Sequence, residues 1–312
     1  MSRHVVLGAG PIGRLVASEL STRHEVVVVT RSGSTVDGAD SIALSAADPA
    51  LREVLAGASS VVVATNPPYE QWAREWPPLL TNVIAAASAG TGVILIGNLY
   101  GYSPGTAPMS ADEPLAPTTR KGRVRAELWQ QLLAAHQAGI VRAAEIRASD
   151  YVGPQAVDTQ AHAGARLVQP VLAGRAAYVL GDPQAPHSWA AVADIARTAV
   201  AVATSDDAWG RPWVVPSTPP RSISQLAHDL AAEAGARPPT VKRIPRPVLR
   251  LAGLVNPVIR EVAELTYQFD RPFISDGSQT TERLGIHATP WAEVITGMVE
   301  QARARRPTPR AI

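Results

Sequence analysis

Cysteine is absent from this chain of 312 residues, and two other residue types are rare. There are two phenylalanines, and only two lysines stand against twenty-seven arginines. Without cysteine the chain can form no disulfide, no thiolate metal site and no cysteine nucleophile. The seven histidines show no metal-ligand spacing either. The sequence therefore predicts no metal site.

Long apolar runs and an excess of charge of one sign are missing as well. No stretch approaches the ~18 apolar residues of a membrane span, and the first apolar run begins almost at Met1, which leaves no room for a signal peptide. The formal net charge is +2, and no basic run suggests a nucleic acid partner. With 46% hydrophobic and 18% charged residues, we expect a cytoplasmic, enzyme-like protein that acts on a small molecule as a monomer or homodimer.

Short apolar runs alternate with helical patterns through the first half of the chain. The predicted strands are 4–8, 25–30, 41–44, 60–65, 92–97 and 142–147, and the predicted helices are 12–20, 48–56, 69–89 and 119–138. Such alternation is typical of a parallel sheet with crossover helices. From about residue 153 prolines accumulate and the strands become isolated.

These patterns predict an α/β protein, a Rossmann-type doubly wound parallel sheet with a smaller, mostly helical substrate lobe. We expect the two parts to be interleaved, with residues 1–153 and 176–215 in the sheet domain and residues 154–175 and 216–312 in the lobe. Ligands of open parallel sheets bind beyond the carboxyl ends of the strands. A cleft between the two parts is therefore the expected place for cofactor and substrate.

The most informative motif is the Gly-x-Gly-x-x-Gly sequence in VVLGAGPIG (5–13). An amphipathic segment and a second apolar run follow it, which is the context that a dinucleotide-binding fingerprint requires. Gly8 permits the tight turn, Gly10 lets the backbone approach a pyrophosphate, and Gly13 lets the helix pack on the strand. Pro11 and Ile12 open the helix, whose N-terminus attracts phosphate. A glycine-rich turn without a ligand is the alternative.

The end of the second predicted strand bears on the kind of dinucleotide. NAD-binding proteins place an acidic residue there for the ribose 2′-hydroxyl, whereas an Arg accommodates a 2′-phosphate. In this chain Arg31 and Ser32 follow the strand, and no acid appears before Asp37. The sequence favours NADP(H) over NAD(H); an exposed loop arginine would show little preference.

Five segments in register resemble the short-chain dehydrogenase/reductase superfamily in its extended, NAD-dependent epimerase/dehydratase branch. They are VVLGAGPIG, GNLYGY (97–102), PLAPTTRKGRVRAE (114–127), EIRASDYVGP (145–154) and HSWAAVADIA (187–196). The resemblance covers nearly the whole chain and implies a nicotinamide dinucleotide on a Rossmann sheet. It also implies that Asn66 lines the adenosine ribose and pyrophosphate, and that Ser149 lies near the nicotinamide amide.

The departures from this family concern its catalytic groups. Registering the helix on Glu127 puts Thr119 where the family Tyr belongs and Arg123 where its Lys belongs, and the stretch before Tyr100 has no Ser. An aliphatic hydroxyl is far too weak an acid for the usual proton transfer, which a phenol performs with a nearby cation. Arg123 can still hold the nicotinamide ribose.

Other residues could replace the missing groups. Asn98 could donate to a substrate oxygen, and Tyr100 or Tyr102 could supply the proton, unless each phenol only packs with its hydroxyl satisfied locally. Lys121 could sit near a ribose or tune a phenol, unless it is a solvated lysine. Asp150 is the best candidate for a general base, with a structural pairing to Arg147 or a backbone N–H as the alternative.

The substrate position gives two further candidates, His187 and Tyr267. Nucleotide-sugar members of the family have an Arg that grips the diphosphate where His187 stands, so the resemblance implies a small or medium organic substrate of another kind. The sequence thus predicts an NADP(H)-dependent oxidoreductase or epimerase. A non-redox isomerase or lyase driven by Asp150, and a non-catalytic NADP(H)-binding sensor or scaffold, remain alternatives.

Overall fold

The structure, a computed structural model, describes residues 1–255, 260–261 and 264–305. Its strands are β1 (Arg3–Leu7), β2 (Glu25–Thr30), β3 (Asp40–Ala43), β4 (Ser60–Val63), β5 (Gly92–Asn98), β6 (Arg142–Ala148), β7 (Asp150–Val152), β8 (Ala177–Val179), β9 (Trp189–Ala191), β10 (Arg211–Val214) and β11 (Val241–Arg243). Its helices are α1 (Pro11–Ser21), α2 (Leu51–Leu55), α3 (Trp72–Ala86), α4 (Arg120–Gln137), α5 (Ala165–Leu172), α6 (Val192–Ala203), α7 (Ile223–Ala234), α8 (Arg246–Val255), α9 (Tyr267–Asp270), α10 (Ser278–Leu284) and α11 (Trp291–Ala304). The described residues also form two 3₁₀ turns, Tyr69–Gln71 and Pro154–Ala156.

The chain divides into two compact units. The first comprises Met1–Ser149, Ala193–Pro216 and Ser275–His287, and the second comprises Asp150–Val192, Ser217–Ile274 and Ala288–Ile312. The predicted substrate lobe, 216–312, extends over residues that lie outside the described part of the chain.

A seven-stranded parallel sheet forms the centre of the first unit. Its strand order is β10-β6-β5-β4-β1-β2-β3, and every pairing in it is parallel. The central strands are mainly apolar because helices cover both faces of a parallel sheet; β4, for example, is SVVV and wholly buried. The chain reverses direction of winding between β1 and β4, which is the switch point where such sheets bind ligands. The predicted Rossmann-type fold is confirmed.

The second unit is built on a separate core. Two short parallel ladders, β7 with β9 and β8 with β11, lie in it. Helices α5, α7 and α11 contribute most of the buried apolar side chains, including Leu167, Leu226, Leu230 and Met298. Ser222 begins α7 with a capping box, since its hydroxyl accepts from Gln225 N–H and the Gln225 side chain accepts from Ser222 N–H.

The units differ from the predicted ranges mainly in two segments, 176–192 and 275–287, and by a few residues at 150–153 and 216. Residues 176–192 were predicted to lie in the sheet domain, but they belong to the second unit, where residues 177–179 pair with β11. Residues 275–287 belong to the sheet unit because α10 attaches to β10, where the Thr280 hydroxyl donates to Val214 O at 2.6 Å. Neither attachment is local in sequence. Among the described residues, no helix combines the length and the apolar character needed to cross a membrane.

Candidate dinucleotide site and active site

The glycine-rich loop lies at the switch point of the sheet, directly after β1. Gly8 has a φ of +109°, and a Cβ there would lie 2.8 Å from the backbone nitrogen of Thr65. A Cβ at Gly13 would lie 2.1 Å from Gly8 O. The loop therefore needs glycine at both positions to form at all, because a side chain would strike backbone atoms.

Gly10 is different, since nothing lies within 4 Å of a Cβ built on it. It is the N-cap of α1 in an extended conformation, and no side chain caps the helix there. Pro11 occupies the first helical turn, and that turn contains no acidic residue. The N–H groups of Ile12 and Gly13 belong to the first turn of α1, where a helix supplies no intrahelical acceptor and has its positive end. These residues fit a pyrophosphate, which would fill the space beside Gly10.

The turn after β2 carries the residues predicted to choose between dinucleotides. Arg31 and Ser32 are exposed. The turn is ordered by Ser34, whose N–H donates to the Thr30 hydroxyl at 2.8 Å and whose hydroxyl lies 2.9 Å from that of Ser32. Arg31 is therefore presented to solvent from a fixed turn, next to hydroxyl groups and without a carboxylate in residues 31–36.

The loop after β4 contains Asn66 and is held from two neighbouring helices. Trp72 on α3 donates its indole N–H to Pro67 O at 2.9 Å. Arg125 on α4 donates to the Asn66 side-chain oxygen at 3.3 Å. Asn66 itself is exposed, so the loop presents this amide at the carboxyl end of β4.

A pair of phenols and a lysine lie where β5 ends. The Tyr100 hydroxyl is 3.2 Å from the Tyr69 hydroxyl, and the Lys121 ammonium lies 5.7 Å from the centre of the Tyr69 ring. Lys121 is 2% exposed, so the alternative of a solvated lysine is wrong. The Asn98 side-chain oxygen accepts from the Tyr100 N–H at 3.1 Å, and its amide hydrogens are left for another acceptor.

Tyr102 lies in a buried network. Its hydroxyl donates to Ser110 O at 2.5 Å and accepts from Arg147 at 2.7 Å. Arg147 in turn donates to the Glu145 carboxylate at 2.7 Å. Burial raises the pKa of Tyr102, although the Arg147 cation opposes the shift. The hydroxyl is thus engaged in holding β6 and the loop after β5 together, which favours Tyr100 as the proton donor.

The start of α4 contains the positions aligned with the missing Tyr and Lys of the family. Thr119 is the N-cap of α4, and its hydroxyl accepts from Gly122 N–H at 3.0 Å. Arg123 is exposed and donates to Thr118 O at 3.1 Å. Ser149 is buried directly after β6. Thr119 has become a helix cap, and the buried cations of α4 are Lys121 and Arg125 instead.

In the second unit, Asp150 is paired with His187 rather than with Arg147. The His187 Nε2 lies 2.9 Å from the Asp150 carboxylate, and the two side chains are 4% and 16% exposed. The His187 ring packs between aromatic rings, with centroids 4.6 Å from Trp189 and 5.1 Å from Phe273. The structure therefore places the predicted base and the predicted substrate residue in one hydrogen-bonded pair.

Two more titratable groups surround this pair. Burial lowers the pKa of His162 to about 4, against the opposing effect of Asp150. Burial raises the pKa of Tyr267 to about 12, and the negative charges of Asp150 and Glu264 add to the shift. Both groups therefore stay neutral at ordinary pH. A small cavity borders the pair; it is lined by His162, Asp182, Ala185, His187, Trp189, Ile223 and Phe269.

Sequence reasoning missed three residues of these clusters, namely Tyr69, Arg125 and His162. Tyr69 follows Asn66 by three residues at the start of a 3₁₀ turn, and a phenol so close to a predicted cofactor-binding residue was a usable signal. Arg125 and His162 gave no signal, because an arginine on a helix and a lone histidine are common in every protein. No group of three or more acidic or histidine side chains in the described part of the chain could hold a metal ion.

The profile of the NAD dependent epimerase/dehydratase family matches residues 4–215. This match spans more than half of the chain, and the chain therefore belongs to that family. The predicted resemblance is confirmed. Comparison with curated protein sequences yields no match.

Solved structures with the same fold are distant in sequence. A UDP-N-acetylglucosamine 4-epimerase from Methanobrevibacter ruminantium, in complex with UDP-N-acetylmuramic acid, is 15% identical with a TM-score of 0.79, and the match covers 98% of this chain and 99% of that one. A UDP-glucose 4-epimerase from Thermotoga maritima is 18% identical with a TM-score of 0.76, covering 97% and 99%. A dTDP-glucose 4,6-dehydratase from Bacillus anthracis, in complex with NAD, is 12% identical with a TM-score of 0.78, covering 98% and 97%.

Family membership confirms the prediction of an enzyme of the epimerase and oxidoreductase kind. It also supports a nicotinamide dinucleotide as cofactor, and NAD is the form bound in several of the solved structures. The preference for NADP and the roles of individual site residues remain predictions.

Proposed function

We propose that this chain is an NADP(H)-dependent oxidoreductase or epimerase that uses Tyr100 in place of the family's catalytic Ser and Tyr-x-x-x-Lys. The observation that carries the proposal is the cluster of Tyr100, Tyr69 and Lys121 beside the end of β5. Two phenols beside a buried ammonium can transfer a proton. The family's Ser and Tyr, which have that role, are missing from this chain. The predicted cytoplasmic location and monomeric or homodimeric state stay predictions.

The dinucleotide would be held by the glycine-rich loop, by Arg31 and Ser32 after β2, and by Asn66 after β4, with Arg123 and Ser149 as candidates for the nicotinamide end. When bound, it supplies or accepts a hydride at carbon. We favour NADP(H) because Arg31 is an exposed cation where an acid would be expected for NAD(H). The solved structures with NAD argue for the other form, so this preference needs its own test.

In the proposed reaction, a substrate carbonyl and its alcohol interconvert. When the carbonyl is reduced, Tyr100 would give its proton to the substrate oxygen, and when the alcohol is oxidised, Tyr100 would take that proton back. The Tyr69 hydroxyl can return a proton to Tyr100, because the two oxygens are 3.2 Å apart. The Lys121 cation favours the negative charge that a phenol develops on giving up its proton. Asn98 would orient the substrate oxygen with its amide hydrogens.

We propose that the substrate is a small or medium organic molecule rather than a nucleoside diphosphate sugar. Several related structures contain UDP-sugars. Here the His187 Nε2 is not available to bind an anion, because it is already hydrogen-bonded to the Asp150 carboxylate. A carboxylate at this position repels a diphosphate. Tight binding of UDP-glucose in calorimetry would contradict this part of the proposal.

The Asp150–His187 pair also favours a second candidate function, a non-redox isomerase or lyase. A carboxylate that is hydrogen-bonded to an imidazole at 2.9 Å can take a proton from carbon and pass it on. In that case the dinucleotide would bind without turning over. Tyr267 would then contact the substrate as a neutral hydrogen-bond donor, in keeping with its raised pKa.

The experiment that tests the proposal compares two tyrosine variants. A screen of carbonyl and hydroxyl compounds, followed by NAD(P)H absorbance, identifies a substrate. Tyr100→Phe should then lose about 10²–10⁴ in kcat, which is the usual contribution of a positioned acid. Tyr102→Phe should instead lower the thermal stability, because it breaks the buried hydrogen bonds to Arg147 and Ser110. Both variants should bind the dinucleotide as the parent does.

The contrary outcomes are distinct. If a folded Tyr100→Phe protein keeps full activity, the tyrosine relay is wrong. The non-redox function takes its place if the parent converts its substrate with no net change in the dinucleotide and Asp150→Asn abolishes that conversion. Lys121→Met, which keeps the volume and removes the charge, should share the loss of Tyr100→Phe.

A further inference from the structure

Arg125 is a buried cation of α4 that the proposed proton relay does not use. It is 5% exposed. Its guanidinium carbon lies 4.4 Å from the centre of the Trp72 ring and 4.5 Å from that of Trp76. The two indoles come from successive turns of α3, so the guanidinium packs against aromatic surface from one neighbouring helix. Such packing holds the planar donor group in one orientation.

From that position Arg125 donates two hydrogen bonds across the end of the sheet. One goes to Ile96 O on β5 at 3.2 Å, and the other goes to the Asn66 side-chain oxygen at 3.3 Å. A guanidinium has donors only. Asn66 must therefore turn its oxygen toward Arg125, which directs its amide hydrogens away from Arg125.

The position of Asn66 indicates where an acceptor for its amide hydrogens would be. The residue is exposed and lies in the loop directly after β4, whose backbone at Thr65 is 2.8 Å from a Cβ built on Gly8. The Asn66 loop and the glycine-rich loop are thus neighbours at the switch point. Pro67 restricts Asn66 to extended backbone, and Trp72 fixes Pro67 O. The amide is held from both sides.

We propose that Arg125 is a positioning residue that turns the Asn66 amide to donate to a pyrophosphate or ribose oxygen of the bound dinucleotide. This inference rests on the proposed dinucleotide site and assigns a role to a residue that touches no ligand. Arg125 acts through Asn66, so the two residues must contribute one effect and not two.

A double-mutant cycle on NAD binding tests this role by calorimetry, with no substrate required. Asn66→Ala and Arg125→Met should each raise the Kd of NAD about threefold to tenfold, the usual worth of one hydrogen bond. The double variant should be no weaker than the weaker single variant. Arg125→Lys should not rescue, because a lysine cannot stack on both indoles and donate to two oxygens.

Arg142 provides the matched control. It also stacks on an indole, with its guanidinium 4.6 Å from the Trp209 ring, and it also donates to a backbone carbonyl, Gly90 O. It begins β6 and so lies at the opposite end of that strand from its carboxyl terminus. Arg142→Met should lower the stability and leave the Kd of NAD unchanged.

Several results would overturn the inference. They are an unchanged Kd in folded Arg125→Met, or a loss from Arg125→Met that is just as large when Asn66 is already alanine. If Arg125→Met does not fold, Asn66→Asp keeps a partner for Arg125 but removes the amide hydrogens; normal NAD binding by that variant would equally refute the role. Loss of binding in Gly10→Val together with unchanged binding in these variants would leave the dinucleotide site standing and reject Arg125 alone.

Discussion

At the scale of single residues, a substitution of Gly10 can distinguish an effect on folding from an effect on ligand binding. Its backbone is extended with φ −74° and ψ −176°, which any residue adopts, and a Cβ there meets nothing. Gly10→Val should therefore fold with nearly the stability of the parent. It should lose dinucleotide binding, because the valine occupies the space of the pyrophosphate.

Calorimetry with NAD and NADPH, paired with thermal unfolding, checks this prediction. A folded Gly10→Val protein that binds both dinucleotides normally would show that the glycine-rich turn has no ligand. Gly13→Val is the useful contrast, because its Cβ would lie 2.1 Å from Gly8 O and it should fail to fold.

Arg31 carries the second prediction at this scale. If it contacts a 2′-phosphate, its charge-assisted hydrogen bonds are worth about 1.5–3 kcal/mol, so Arg31→Ala should weaken NADPH binding by about tenfold or more. NADH has no phosphate at that position, and its affinity should barely change. Equal losses for both dinucleotides, or a parent protein that prefers NADH, would mean that Arg31 is not the selecting residue.

At the scale of elements, the approach of α4 to the loop after β5 brings Lys121 beside the phenols. The contact depends on Gly122, because a Cβ there would lie 2.3 Å from Tyr100 O. Gly122→Ala should push the start of α4 away from Tyr100, costing about 1–3 kcal/mol through overpacking. Turnover should fall as well, since both Lys121 and Tyr100 move.

Ala134→Gly supplies the control for this prediction. Ala134 is exposed on the same helix, and glycine there costs about 1 kcal/mol of helix stability without touching Tyr100. A comparable loss of stability with normal kcat is expected. If Gly122→Ala and Ala134→Gly have the same kcat, the close approach of α4 is not part of the active site.

At the scale of the whole molecule, buried histidines should make stability depend on pH. Burial lowers the pKa of His4 from 6.5 to about 4, with the neighbouring His24 adding to the shift. Between these two values the unfolded chain binds a proton that the folded chain does not, so stability is full above about pH 6.5 and is lost as the pH falls toward 4. His162 acts in the same direction in the second unit.

Urea unfolding at a series of pH values measures this effect. His4→Gln can retain hydrogen bonds to Ser2 and Ser60 and should flatten the decline between pH 6.5 and 4 by on the order of 1–3 kcal/mol. His228→Gln replaces an exposed histidine and should leave the decline as it is. An unchanged slope in His4→Gln would show that folding does not lower the pKa of His4.

The sequence by itself determined the sheet and its glycine-rich loop. Each of the first six strands was predicted, and β2, β4 and β5 most directly, because a strand buried on both faces is a nearly continuous apolar run and needs only local information. The loop of Gly8, Gly10 and Gly13 was likewise predictable, since the turn and the helix start lie within nine residues. The local pattern gave the wrong unit for β8, whose apolar residues do not specify a partner strand, and for α10, which attaches to β10 across 66 positions of sequence.

Only the tertiary structure decided the chemistry of the candidate site. It buried Lys121 beside Tyr69, engaged the Tyr102 hydroxyl with Arg147, and joined Asp150 to His187 across 37 positions of sequence. Burial and hydrogen-bond partners set whether a phenol, an ammonium or a carboxylate is available for proton transfer. These depend on which distant segments meet, and no local pattern of residue types records that.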